Sequence, residues 1–340
     1  MPYRRLRTFA VLCAGFLGGG CARAEVQDYS ARIPGTGDWI DCGTVLSSGS
    51  QGEWDRYLWG GFAASVLKKD GRYFLYYQGS DDYHEGEGTV MHRAIGVATS
   101  ADGFRFSKYS GNPVLTFSPN SHHEEGAVST AAILDDANRV GMYYGANAWA
   151  GSDLVNADAR FAMSPDGFAF EDHGVVLDHR DGAVWGHGDE LFPIVAFNHG
   201  LRRVVYYVPN GTLQRGQLGV AWADGTGAYH SSRARTGLRG IQVWGAGSAA
   251  RVGPNLYALF LTQTRGAAYM EIRTVTPERP DRLSAAVRRY TWDGVVPVGV
   301  MLDDDRWLLY YRDANHERYG VMVASASLLP SRTATPRCRG

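Results

Sequence analysis

Arg72-Tyr73-Phe74-Leu75-Tyr76-Tyr77 is a hydrophobic stretch closed by a tyrosine pair, and the chain repeats it. Val140-Gly141-Met142-Tyr143-Tyr144, Arg203-Val204-Val205-Tyr206-Tyr207 and Trp307-Leu308-Leu309-Tyr310-Tyr311 are further copies, and Leu256-Tyr257-Ala258-Leu259-Phe260 is a degraded one. Copies recurring at roughly 50 to 67 residues mark a repeat architecture, in which each unit buries its apolar face only against its neighbours.

More than the tyrosines repeats. Ser100-Ala101-Asp102-Gly103-Phe104-Arg105-Phe106 follows the first copy, and Ser164-Pro165-Asp166-Gly167-Phe168-Ala169-Phe170 follows the second. Ala223-Asp224-Gly225 is a worn version after the third. Asp-Gly is a strong hairpin signal, because glycine accepts positive φ without steric cost. Alternating apolar positions on either side fit half-buried strands. An amphipathic pattern long enough for a three-turn helix is missing, which argues against an α/β fold. The sequence therefore predicts an all-β chain: a five-bladed β-propeller with four-stranded antiparallel blades around a central channel.

Composition agrees. Of 340 residues, 44% are hydrophobic and 12% aromatic, ample for a large core, and 43 glycines suit many tight turns. The formal net charge is −1 and no basic stripe interleaves with aromatics, which excludes nucleic acid as a partner. Arg4, Arg5 and Arg7, followed by the apolar run Phe9 to Leu17, read as an export signal over residues 1–24. Two exits stay open: cleavage after Ala22-Arg23-Ala24, or a lipobox-like Leu17-Gly18-Gly19-Gly20-Cys21 that leaves Cys21 lipidated. The expected protein is exported: periplasmic, secreted, or an outer-membrane lipoprotein whose membrane contact is the anchor at Cys21. Residues 25–340 are expected to form a single propeller domain. Cys42 and Cys338 lie near opposite ends of a chain whose ring must close, so a disulfide between them is expected as a clasp.

In such a ring the innermost strand of each blade lies just ahead of the tyrosine strand, and acids cluster there. Trp54-Asp55 precedes the first, His122-His123-Glu124-Glu125 the second, Trp185-Gly186-His187-Gly188-Asp189-Glu190 the third and Trp292-Asp293 the fifth. Carboxylates at similar offsets converge at one mouth of the channel. That suits glycoside hydrolysis, where one carboxylic acid protonates the leaving oxygen and a second carboxylate attacks or activates water. Crowding and burial raise the pKa of one acid while its neighbour stays ionised. Trp59, Trp185, Trp244 and Trp292 are candidates to stack on a sugar ring, and His187 and Arg93 to reach its hydroxyls. The His122–Glu125 spacing matches no zinc site, so neither metal nor cofactor is predicted, and a channel cation such as calcium has no ligand set behind it. Asp303-Asp304-Asp305 reads as an exposed turn.

Trp54-Asp55…Ser65-Val66-Leu67…Tyr76-Tyr77…Ile95-Gly96-Val97-Ala98-Thr99-Ser100-Ala101-Asp102-Gly103…Asn112-Pro113-Val114-Leu115 resembles the five-bladed glycosidases, glycoside hydrolase family 43 and its relatives in families 32, 62, 68, 117 and 130. The likeness runs from about residue 40 to 330 and lies in superfamily-wide motifs. It implies a base or nucleophile from blade one at Asp55 and a pKa-tuning acid from blade two at Glu125, with Glu124 as alternate. It implies a general acid from blade three at Glu190, with Asp189 as alternate. The activity implied is that of an exported glycoside hydrolase on an oligo- or polysaccharide. A phosphorylase of the family 130 type and a non-catalytic carbohydrate-binding propeller are the alternatives; phosphate-dependent turnover marks the first, glycan binding without cleavage the second.

Overall fold

A computed structural model describes residues 33–59, 64–81, 91–116, 124–150, 153–209, 217–225, 227–237, 239–241, 243, 247–263, 269–326 and 338. The signal-like segment 1–24, with Cys21, and also Trp244 lie outside the described residues. Among the latter the structure is all β, with one 3-10 turn at Thr36–Asp38 and antiparallel meanders.

Each tyrosine copy is the second strand of a meander. The first meander runs β3 (Ala64–Lys69), β4 (Arg72–Ser80) and β5 (Met91–Ser100), with the short β6 (Ser107–Lys108) and β7 (Leu115–Thr116) on its outer edge and β2 (Tyr57–Leu58) against β4. The second runs β8 (Glu124–Leu134), β9 (Val140–Ala150), β10 (Asp153–Ser164) and β11 (Glu171–Leu177). A short parallel pairing of β5 with β8, Met91 opposite Glu124 to Arg93 opposite Gly126, fuses these two into one ten-stranded sheet. The third is β12 (Leu191–His199), β13 (Arg202–Pro209), β14 (Gly219–Asp224) and β15 (His230–Arg233). After the hairpin β16 (Arg235–Thr236) and β17 (Arg239–Gly240) comes the fourth: β18 (Gly247–Gly253), β19 (Leu256–Gln263), β20 (Tyr269–Val275) and β21 (Arg288–Thr291).

The last meander is not continuous in sequence. β22 (Val295–Asp303), β23 (Arg306–Asp313) and β24 (Arg318–Ser325) take their fourth strand from the other end of the chain, β1 (Ile40–Ser47), with Ile40 opposite Val323. The disulfide Cys42–Cys338 stands on this edge, as the cysteine count suggested. The first strands β3, β8, β12, β18 and β22 each touch the next, and β22 returns to β3, so they enclose an axis.

The core is divided among the seams between consecutive meanders, not gathered on that axis. Leu67, Tyr76 and Val97 pack with Val140 and Met142 between the first and second; Ile133 and Tyr143 pack with Val205 and Tyr207 between the second and third. Equivalent clusters fill the third-to-fourth and fourth-to-fifth seams, and Val298, Leu308 and Tyr310 meet Tyr73, Leu75 and Tyr77 at the seam that closes the ring.

The leading tyrosine of each pair has a second task there. Buried hydroxyls must find partners, and these find them in the following meander. Tyr76 Oη donates to the Gly167 carbonyl (2.9 Å), Tyr206 Oη to that of Pro280 (2.9 Å) and Tyr310 Oη to that of Gly103 (3.0 Å), while Tyr143 Oη pairs with Tyr229 Oη (2.6 Å). The degraded copy has Phe260 instead, which packs on Trp307 with ring centres 5.1 Å apart. Gly167 sits at φ +86, and a Cβ there would come within 2.8 Å of Phe74, so the turn needs glycine both for its conformation and for the approach of the preceding sheet. The Asp-Gly loops are wider than two-residue hairpins: Asp102 Oδ1 accepts from the Phe104 and Arg105 amides, and Asp166 Oδ1 from those of Phe168 and Ala169.

Asp303 corrects the sequence reading. The turn is there, but its first carboxylate is buried, held by Lys68 Nζ (2.6 Å), Tyr73 Oη (2.5 Å) and Arg306 across the closing seam.

Candidate functional site

The axis is narrow at its waist. A cavity of about 30 Å³, lined by Ser65, Val66, Ala131, Val195, Ser248 and Val300 among others, has room for about one water molecule. No carboxylate lines it. Ser65 Oγ accepts from the Ala132 amide (3.0 Å) and Ser248 Oγ from that of Val300 (2.8 Å), tying neighbouring first strands together. A sugar cannot enter a space of that size, which leaves the two ends of the ring, one of them the end where the first strands begin.

Polar side chains gather at that end. Gln78, Thr262 and Arg312 each follow the paired apolar positions of their repeat, and all three are buried. Gln78 Oε1 accepts from the Ser129 amide (3.1 Å), Ser129 Oγ donates to the Pro193 carbonyl, and Thr262 Oγ1 donates to the Pro297 carbonyl (3.2 Å). Ser129 adopts φ +62 within a bulge of β8, between Val128 and Ala131. Thr130 beside it is 1% exposed, and its hydroxyl has no hydrogen-bond partner among the described residues.

Glu190 and Asp189 precede β12 directly, and both are buried, at 5% and 1% exposure. Charged groups are seldom buried without a compensating environment, so this pair is a strong candidate centre. Glu124 and Glu125 open β8, opposite Trp149 and Ala148 on β9. Their side chains lie outside the described residues.

Trp59 and Arg93 come together as a group. The Arg93 guanidinium stands 5.4 Å from the Trp59 ring centre, and the Trp59 amide donates to the Gln78 carbonyl (3.0 Å). Two residues that sequence reasoning passed over join them: His316 lies edge-on to Trp59 at 5.8 Å, and Arg312 is its charged neighbour. Burial, and then the Arg312 charge, hold the His316 imidazole down to about 4, so it is neutral near pH 7. Gln78, Thr262 and Arg312 had a legible signal, a polar residue directly after a repeated apolar pair. His316 had none.

Asp55 lies ahead of β3, where the sequence reading put it. It is 3% exposed, and its partners come from the second and outer strands of the meander, not from the first strand β3. Tyr77 Oη donates to Asp55 Oδ2 (2.9 Å), and Lys108 Nζ stands 2.7 Å from the same oxygen. Asn112 Nδ2 donates to the Tyr77 hydroxyl in turn (3.2 Å), and Trp54 stacks on the Tyr77 ring. Burial first, then the Asp55 charge, pushes the Tyr77 hydroxyl far above its ordinary range. The Asp55 carboxylate is thus paired with one cation and one hydroxyl.

Trp185 and Trp292 are half-buried and pack on their own meanders. Trp185 wedges beside Gly219 and Tyr207 as Trp54 does beside Gly96 and Tyr77, and the Tyr207 hydroxyl donates to the Trp185 carbonyl (2.7 Å). Trp292 lies against Trp39 and Tyr290 in the fourth-to-fifth seam. His187 is exposed, with Nδ1 3.2 Å from the Val184 carbonyl in its own turn.

No family model and no curated protein matches the sequence. Solved structures do match in shape. A glycosyl hydrolase from Bacteroides ovatus superposes with a TM-score of 0.55 at 14% identity, over 81% of this chain and 88% of that one. A β-1,2-mannobiose phosphorylase from Listeria innocua, in complex with β-1,2-mannobiose, superposes with a TM-score of 0.59 at 11% identity, over 85% and 97%. A structure from the family 130 mannoside phosphorylases, a family containing hydrolases that target β-1,2-mannosidic linkages in Candida mannan, gives 0.56 at 14%, over 81% and 88%. The chain has the fold of the propeller glycosidases and their phosphorylase relatives.

Proposed function

We propose that this chain is a glycoside hydrolase built as a five-bladed β-propeller, exported by its first 24 residues and folded as one domain over residues 25–340. The five meanders serve as its blades, and the end of the ring that carries Glu190 serves as its active site. One observation carries this reading: a buried pair of carboxylates, Asp189 and Glu190, stands directly ahead of a first strand whose Pro193 carbonyl accepts from Ser129, itself bonded through its amide to Gln78 of the first meander. Glu190 acts as the general acid, with Asp189 as alternate. A carboxylate of the second blade, Glu125 or Glu124, serves as its counterpart, and Asp55 braces the first blade. A carbohydrate ring lies between them, with Trp59 and Arg93 at its edge.

The test is turnover on a panel of aryl glycosides, β-1,2-mannobiose and plant and microbial polysaccharides. Glu190→Gln should lower kcat by about two orders of magnitude or more, as expected for loss of a general acid, without changing the melting temperature. Wild-type rates in that variant would sink the assignment.

Phosphorolysis is the second reading, favoured by the guanidinium groups of Arg312 and Arg93 on either side of Trp59 and His316. Phosphate in place of water as the attacking group needs such cations. Turnover that rises with inorganic phosphate and releases a sugar 1-phosphate would select it.

A further inference from the structure

Residues 178–190 link β11 to β12 and end in Asp189 and Glu190. The segment is a chain of tight turns: the Asp181 amide donates to the Asp178 carbonyl (3.1 Å), Val184 to Asp181 (2.9 Å), His187 to Val184 (3.1 Å) and Asp189 to Gly186 (3.3 Å). Such turns set local shape but not position. One bond of longer sequence range, in which the Gly188 amide donates to the His179 carbonyl at 2.6 Å, closes the loop on itself.

His179 is in turn fixed to the second meander. Asp158 on β10, 3% exposed, accepts through a single oxygen both the His179 amide (3.0 Å) and His179 Nδ1 (2.7 Å). A carboxylate taking two donors from one residue sets both the backbone and the ring of that residue. The relay therefore runs from Asp158 through His179 to Gly188, which directly precedes Asp189. On its other side the loop is held to the third meander, where the Trp185 amide donates to Ser231 Oγ (2.9 Å) and Tyr207 Oη to the Trp185 carbonyl (2.7 Å).

We propose that Asp158 and His179 are positioning residues that hold the Asp189–Glu190 segment in place at the mouth of the ring. The proposal deepens the reading of Glu190 as the general acid and rests on it for its catalytic consequence. Neither residue touches substrate. Asp178 completes a trio whose ligand atoms lie within 4.8 Å of one another, but its carboxylate is occupied by the Arg180 amide and guanidinium, and Asp158 by His179.

Two readouts on the full-length protein test this. The first is hydrogen–deuterium exchange over residues 186–190, which needs no substrate. Asp158→Ala and His179→Ala should speed exchange there at least about tenfold, as for a local opening made easier. His179→Asn, which keeps a donor near the Nδ1 position, and Asp158→Asn, which keeps an acceptor oxygen, should restore most of the protection. The second readout is kinetics on whichever glycoside of the panel the wild type turns over. Displacement of an acid by about 1 Å costs on the order of 100-fold, so the alanine variants should lose kcat by about that factor with KM changed less than about threefold. The asparagine variants should recover much of it.

Unchanged exchange in folded alanine variants overturns the clamp. Faster exchange with full kcat overturns its catalytic consequence, and leaves Glu190 to be judged by its own variant. If the wild type cleaves nothing on the panel, the glycosidase reading fails and exchange alone decides the clamp. If the alanine variants do not fold, His179→Phe, which keeps a ring but removes the Nδ1 donor, decides it: faster exchange over residues 186–190 supports the relay, and wild-type protection counts against it.

Discussion

Lys68 Nζ lies 2.6 Å from Asp303 Oδ1, joining the end of the first strand of the first meander to the end of the first strand of the last. Tyr73 and Arg306 share the same carboxylate. The closing seam of the ring thus carries a buried ionic network, as well as apolar contact.

Burial alone would raise the Asp303 carboxyl, but the hydrogen bonds from Lys68, Tyr73 and Arg306 outweigh it and hold the group below the usual carboxylate range. A depressed folded pKa stabilises above the unfolded value and is lost as pH falls through the folded one. Thermal stability should therefore decline below about pH 4, and Asp303→Asn should flatten that decline. At neutral pH the same variant should cost roughly 2 kcal/mol, less than a fully buried pair because Lys68 is partly exposed. Melting curves against pH check both.

His316 acts in a higher window. Its imidazole is held down to about 4, so in the interval from about pH 6.5 down to that value the unfolded chain takes up a proton that the folded one refuses. Stability should fall as pH drops through that interval. Arg312→Met should raise the His316 pKa, measurable by NMR titration of the ring; an unmoved titration would show that burial acts alone.

Asp55 and Tyr77 test whether the first-blade acid braces or reacts. Tyr77→Phe removes the hydroxyl from a buried carboxylate and should destabilise by about 1–3 kcal/mol. Asp55→Asn should lower the melting temperature while kcat stays within a few-fold of wild type. A loss of several orders of magnitude in kcat at unchanged stability would return Asp55 to the catalytic set.

The bridge between Cys42 and Cys338 spans 296 residues of sequence. Cross-linking over so long a span typically adds about 2–5 kcal/mol. Cys42→Ser, or reduction, should lower the melting temperature accordingly, and non-reducing peptide mapping should recover the linked pair. Two free thiols in the mapped protein would contradict the structure.

The strand order inside each repeat was legible because its cause is local: alternating apolar residues, a tyrosine pair and a turn with Asp-Gly recur in register. The seam contacts of Tyr76, Tyr206 and Tyr310 were not, since a hydroxyl's acceptor in the next sheet leaves no trace beside it in sequence. Neither was the source of the last sheet's fourth strand, because Ile40 and Val323 are joined only by ring closure. At the candidate site, the burial of Asp189 and Glu190 and the approach of Arg93 to Trp59 leave no local trace in sequence, which offered only their place ahead of a first strand or on its neighbours. Asp55 had a similar place, yet its charge is balanced by Lys108, which arrives from an outer strand. For Trp185 and Trp292 likewise, the glycine or second indole that each packs on is not adjacent in sequence.

The pairing of β1 with β24 makes completion of the last sheet depend on the last strand among the described residues. A nascent or truncated polypeptide ending before Arg318 keeps residues 40–47 as an unmatched edge and leaves β23 open on one side. Open edges of this kind invite aggregation and proteolysis. Proteases would thus remove chains that lack β24 and spare those that have paired it with β1, giving the fold an intrinsic check on the closure of its last sheet.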